Sequence, residues 1–279
     1  MSTRAKSAER TNYLAQLVLV IVAIFMLIPF LWMILYIFKT VTETTQIPFK
    51  FLPAHWNNWH HNVSNAWNKL HIGRLYYNTI ISAFFRTVGP LVLSTMAAYA
   101  FARIKFPAKN FLFMIVISVM LVPNTVFYTA QYFMLNKMHL VNTITGLFIT
   151  GLVSPFATFL LRQFFLSLPL ELEEAAVLDG CSHYQILRLV MLPLVTPALA
   201  AVTIIHMLWA WNDFTWPFII NSSADKLTLA AGLQNLVGQF QSDYPTLMAG
   251  ALMTVIPMIL VFVVFQKRFI EGVAFTGSK

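Results

Sequence analysis

The chain has 279 residues, of which 58% are apolar and only 10% charged, with a formal net charge of +8. A water-soluble domain carries about 25% charged residues to dress its surface. The composition therefore excludes an ordinary soluble enzyme, a disordered chain and a nucleic-acid binder, and points to a chain that hides most of its surface in lipid.

A transmembrane helix needs about 20 mostly apolar residues. The first such run, Leu14 to Phe38, contains no Asp, Glu, Lys or Arg. It follows Arg4, Lys6 and Arg10 as a secretory signal would. It is too long for a signal core and no small-residue cleavage site follows, so it reads as a retained helix. The second span runs from Tyr76 to Phe101 and is interrupted by Arg86. The third is Phe111 to Leu135, the fourth Leu140 to Leu161, the fifth Val195 to Ile220 with Asp213 inside it, and the sixth Thr246 to Phe265. The spacing thus predicts an all-α integral membrane protein with a six-helix domain over 14–265, flanked by 1–13 and a tail over 266–279.

Six spans leave both termini on one side of the membrane. Basic residues cluster at Arg4, Lys6 and Arg10, at Arg103, Lys105 and Lys109, and at Lys267, Arg268 and Lys279. The positive-inside rule places these segments in the cytoplasm, where they also suit anionic lipid head groups. The loop over 39–75 carries a sparser set, Lys39, Lys50, Lys69 and Arg74, and falls outside. Prolines are scattered through the spans, among them Pro29, Pro90, Pro123, Pro155 and Pro257. Each frees a carbonyl that lipid cannot satisfy, so these helices are expected to kink, either for packing or around a pathway that opens and closes.

Intramembrane charges are costly and mark candidate pathways, which singles out Arg86 and Asp213. Asn212 and Asp213 sit beside Trp209, Trp211 and Trp216, and aromatic faces beside amides and carboxylates suit sugars. Trp is also an interfacial residue, and Trp216 with Pro217 fits that as well. His206 is expected to be hydrogen-bonded inside the bundle. His55, His60 and His61 stand beside Trp56 and Trp59 with no compact ligand spacing, so no metal site is expected there. The single Cys181 excludes an internal disulfide.

The segment from Ser167 to Pro193 holds four of the ten acidic residues: Glu171, Glu173, Glu174 and Asp179. Pro169 in a first turn, three early glutamates and Gly180 as a helix stop predict one short helix. Ser182 followed by Gln185 forms a capping box that opens a second, which Pro193 is expected to end. An acidic helix–glycine–helix segment in a basic membrane protein reads as a surface for a specific partner.

Glu174-Ala175-Ala176, three residues, Gly180, nine residues, Val190, one residue and Leu192-Pro193 resembles the EAA loop of bacterial ABC-importer permeases, with Val190 where isoleucine is usual. Asp179, the run Ala98-Tyr-Ala-Phe-Ala-Arg103 with Phe106-Pro107, Trp211-Asn212-Asp213-Phe214 and the tail from Gly272 to Lys279 resemble the maltose-type second permease of carbohydrate uptake. The resemblance implies no catalytic residues and no cofactor in this chain, with ATP bound by two separate ATPase subunits. It also implies a second, homologous permease subunit and an external solute-binding protein delivering a sugar. Carried over by motif, Glu173, Glu174, Ala175, Ala176, Asp179, Gly180 and Pro193 would contact or couple to the ATPase, and Gly277 would reach the ATPase interface. Arg86, Trp209, Trp211, Asn212 and Asp213 are the candidate substrate pathway. The loop with His55, His60 and His61, together with Asp225, Lys226, Gln239 and Asp243, would lie under the binding protein. The resemblance also admits another small solute such as glycerol phosphate. No Walker A sequence, no intramembrane-protease pattern and no selectivity-filter run is present, so a self-contained enzyme, channel or secondary transporter is disfavoured.

Overall fold

The computed structural model describes residues 2–237 and 243–277, with side chains for Tyr13 and for residues 15–237, 243–264 and 266. Gln239, Lys279, the side chains of Arg4, Lys6, Arg10, Lys267 and Arg268, and the surroundings of Gly277 lie outside the described residues. Every regular element described is helical. Among the described residues, four helical segments are long and apolar enough to cross a membrane: Ala15–Ile37, Ile72–Arg103, Ile144–Ser167 and Tyr244–Val264. Two bent pairs bring the number to six if each counts as one span.

The chain divides into two compact units. The first comprises Met1–Leu70 and Asn235–Val255. It opens with α1, Ser2–Ile37, whose apolar residues from Leu17 to Leu31 are mostly exposed, as a lipid-facing helix requires. Just past its end the Lys39 side chain is fully buried. Its ammonium donates to Lys50 O at 2.6 Å and sits over the rings of Tyr36 and Phe49. Burial pulls the Lys39 pKa down, opposed by the charge of Glu43. Glu43 closes a capping box with Thr40 and also accepts from Ala54 N–H at 2.9 Å. Burial alone would raise its carboxyl, but the N–H donors of Thr40 and Ala54 hold it below the usual carboxylate value. Helix α2, Trp59–Lys69, is pinned to the end of α1 by Asn62, which donates to Ile37 O and Lys39 O.

The second unit comprises His71–Gln234 and Ile256–Lys279. Its centre is α3, Ile72–Arg103, which packs along α6, Pro155–Ser167, and α9, Thr196–Asn212. Its buried face is small and polar, with Asn78, Thr79, Ser82, Ser94, Thr95 and Ala98. Small residues let helices approach closely, and several of these polar groups find protein partners where lipid offers none. Asn78 donates to Asp225 O and Leu227 O, and Ser94 donates to Ser154 O.

The expected third span is not one straight helix. It is α4, Lys109–Ser118, with a 3-10 turn to Leu121, then α5, Thr125–Lys137, bent by 106° at Val122-Pro123-Asn124. Pro155 does not kink a helix either. It occupies the first turn of α6 behind Ser154, whose hydroxyl accepts from Ala157 N–H, while Ile144–Phe148 and a 3-10 turn form the start of that span. The expected fifth span is broken after Asn212 and resumes as α10, Thr215–Ile220. Between α6 and α9 lie α7, Glu171–Leu178, and α8, His183–Leu194, the latter bent 81° from α9. The last helix, α11, runs over Tyr244–Gly277 with Pro257 inside it.

Candidate functional site

Helices α7 and α8 form as their residues dictate. Glu171, Glu173 and Glu174 occupy the first turn of α7, where the helix dipole favours them. Gly180 takes φ +81°, Gly180 N–H bonds Val177 O, and Cys181 N–H bonds Ala176 O. This is a Schellman stop, which a residue with a Cβ would strain. Ser182 and Gln185 form the reciprocal capping box at the head of α8. Pro193 does not end α8. The π-helical stretch Ile186–Met191 shifts the backbone bonding, the helix continues to Leu194, and the hydroxyl of Thr196 donates to Pro193 O.

The two faces of α7 differ. Ala176 is buried in a cluster with Tyr99, Leu161, Phe165, Ile186 and Met191. Glu173 also turns inward: it accepts from Tyr99 O–H at 3.1 Å and lies 3.6 Å from Arg103 Nε. The Arg103 side chain is 3% exposed and donates to Phe165 O and Leu168 O, both at 2.6 Å. Arg103 thus holds the last carbonyls of α6, sits at the end of α3 and pairs with α7. Lys109 caps Ala102 O and Ile104 O. Arg162 donates to Phe101 O and lies over the Phe113 ring. In the sequence these cations carry only a topology signal; their second task, satisfying helix C-termini, shows only once the ends meet. Glu174, Ala175, Asp179, Gly180 and Pro193 are exposed. Beside them Val177 and Leu178 are exposed too, Leu178 at 88%.

A second region lies where α3 faces the break between α9 and α10. Arg86 donates to Asp213 Oδ2 at 2.5 Å, with side-chain exposures of 20% and 14%. Asp213 Oδ1 accepts from Trp216 N–H, so the carboxylate both pairs with Arg86 and caps α10. A Cβ on Gly151 would lie 2.9 Å from Arg86 Nε, so glycine there makes room for the guanidinium. The pair lines a cavity of about 210 Å³ together with Tyr128, Gln131, His206, Trp209 and Trp216. His206 Nε2 is buried without a hydrogen-bond partner among the described residues, contrary to the expectation of a satisfied histidine. Trp209 packs against Phe156 and His206. Trp216 is buried, and its indole donates to Gly146 O, so it belongs to the packing rather than to a membrane surface.

Of the five residues assigned to a pathway, Arg86, Trp209 and Asp213 line this cavity. Trp211 lines a separate apolar one, with Ile80, Phe84 and Met207. Asn212 is exposed and donates back to Leu208 O. Tyr128 and Gln131 were not singled out in the sequence, where they sit inside an apolar run with no local signal. Among the described residues no group of three His, Cys, Asp or Glu side chains could hold a metal ion.

Residues 90–273 match the family described as the binding-protein-dependent transport system inner membrane component. The chain belongs to that family. It is 37% identical over 202 residues to an arabinooligosaccharides transport system permease of Halalkalibacterium halodurans, covering 72% of each chain. A diacetylchitobiose uptake system permease of Streptomyces coelicolor is 32% identical over 97% of this chain and 90% of its own. An sn-glycerol-3-phosphate transport system permease of Yersinia enterocolitica is 32% identical over 83% and 84%. The fold matches a chain of a bacterial ABC transporter involved in the import of the acidic polysaccharide alginate, with TM-score 0.78, 24% identity and coverage of 94% and 97%. The protein is therefore the multi-pass permease of an ABC importer, a transport subunit and not an enzyme.

In this permease the Arg86–Asp213 pair can be tested alone. Removing one partner of a shielded ion pair leaves the other charge unpaired, which costs about 3–5 kcal/mol in fully buried cases and less here. Asp213→Asn is expected to lower the thermal midpoint in detergent by several degrees. Arg86→Gln with Asp213→Asn should recover part of that loss. Strictly additive losses would contradict the pairing.

Proposed function

We propose that this permease lines one half of an alternating-access pathway for a neutral sugar or oligosaccharide, and that separate ATPase subunits drive it by gripping the segment from Ser167 to Pro193. A second homologous permease would supply the other half, and a solute-binding protein would deliver cargo at the opposite face. The basic loop at Arg103 and both termini would then lie in the cytoplasm, as the charge distribution favours.

The observation that carries the cargo assignment is the cavity at Arg86. It offers aromatic faces from Trp209 and Tyr128, the amide of Gln131 and the unsatisfied His206 Nε2, a set that suits hydroxyl groups and C–H faces. Its one guanidinium is already compensated by Asp213 at 2.5 Å. A phosphate or uronate would have to compete with that carboxylate, whereas a neutral polyol would not. The named oligosaccharide relatives favour the same reading. The complete importer in proteoliposomes should accumulate neutral oligosaccharides when ATP is supplied and reject sn-glycerol-3-phosphate. Uptake of the phosphate in place of neutral sugars would overturn the cargo assignment.

The coupling half of the proposal rests on the exposed strip of α7. Glu174 stands beside Val177 and Leu178, a carboxylate set against an apolar contact surface. A charge-assisted bond to a basic residue of the ATPase would be worth about 1.5–3 kcal/mol, or tenfold and more. Glu174→Ala should leave the permease folded and reduce ATP-driven uptake at least about tenfold. Uptake at the wild-type rate would contradict this role.

A further inference from the structure

We propose that α2 is an interfacial helix whose aromatic stripe lies in the lipid head-group region, bracing the end of the first span. Trp59, Val63 and Trp67 recur at intervals of four, so they share one face, and Trp56 precedes them in the adjoining 3-10 turn. Trp56, Trp59 and Trp67 are 54%, 40% and 50% exposed. A second face, with Asn62 and Ala66, is buried. A third, with Asn57, His61, Ser64 and Asn68, is polar and exposed. A helix with one packed, one polar and one tryptophan-bearing exposed face matches a boundary between protein, water and lipid.

Its depth is fixed by contacts within the same unit. Asn62 donates to Ile37 O at 2.8 Å and to Lys39 O at 2.9 Å, and Asn58 donates to Phe38 O at 3.3 Å. These are carbonyls at the very end of the membrane-spanning run Ala15–Ile37. Phe38 packs on Trp56 at 5.1 Å. Below them, Phe49 and Phe51 fold back onto Trp32 at 5.6 and 5.0 Å. Trp32 lies five residues before Ile37, about 7.5 Å further into the span. The aromatic shell therefore straddles the boundary level and continues the exposed apolar surface on the Trp32 face of α1, at Ile28 and Phe25, four and seven residues before Trp32. Indoles favour that level because the ring is apolar and its N–H still reaches water or head groups. That continuity makes lipid, and not the binding protein, the occupant of this face.

Spin labels in the complete importer in nanodiscs test the placement. In a Cys181→Ser background, His60→Cys and Val63→Cys place labels on the tryptophan face and keep all three indoles. Asn57→Cys and His61→Cys place labels on the polar face. Oxygen should relax the first pair more strongly than an aqueous nickel chelate does, and the order should reverse for the second pair. Adding the solute-binding protein should leave the first pair unchanged. Equal nickel access at all four positions would overturn the proposal. So would a loss of both oxygen and nickel access at His60→Cys and Val63→Cys when the binding protein is added, since a protein would then cover that face. Neither result depends on which cargo is carried.

Discussion

The structure around α7 depends on a guanidinium with almost no contact with water. Arg103 ends α3, donates twice to the closing carbonyls of α6, and faces Glu173 of α7. An unsatisfied polar group near the edge of a lipid phase costs several kcal/mol, and Arg103 gives both carbonyls a donor and Glu173 a nearby positive charge. One side chain thus ties the ends of two spans to a short surface helix. Tyr99 adds a hydrogen bond to the same carboxylate, and the apolar cluster at Phe165, Ile186 and Met191 fills the space around it. A pull on α7 would then move α3 and α6 with it, which is what a coupling element needs.

The same rule explains where helices break. Backbone can leave the helical form at membrane depth only where protein or a wet cavity satisfies it. The interruption at Asp213 fits: its carboxylate caps α10 and pairs with Arg86, and the cavity opens beside it. The bend between α8 and α9 fits as well, since π-helical bonding precedes Pro193 and the Thr196 hydroxyl takes its carbonyl. At Asp213 the broken helix and the polar lining thus share one cause.

The sequence carries much of this architecture, but only where the signal is local. The capping box at Ser182 and the stop at Gly180 are written in adjacent residues and form as read. Apolar runs locate the membrane segments because lipid leaves few alternatives, yet a run cannot say whether it is straight. Pro123 and Pro155 look alike in sequence, and one marks a 106° break while the other opens a helix behind Ser154. Pairings across long separations left no trace. Glu173 reads as one more acid on an exposed helix, and only the fold reveals that it turns toward Tyr99 and Arg103 while Glu174 stays outside. Arg86 and Asp213 were visible as two costly charges, because an apolar background makes each conspicuous, but not as each other's partner.

The account stands most directly on the Arg103–Glu173 connection. The measurement is the number of substrate molecules imported per ATP hydrolysed by the complete importer carrying Arg103→Gln, Glu173→Gln or both, with assembly checked by co-purification. The account predicts that each single variant still assembles and hydrolyses ATP but imports fewer molecules per ATP, and that the double variant is no worse than the poorer single. Unchanged import per ATP in all three variants, or losses that simply multiply, would contradict it.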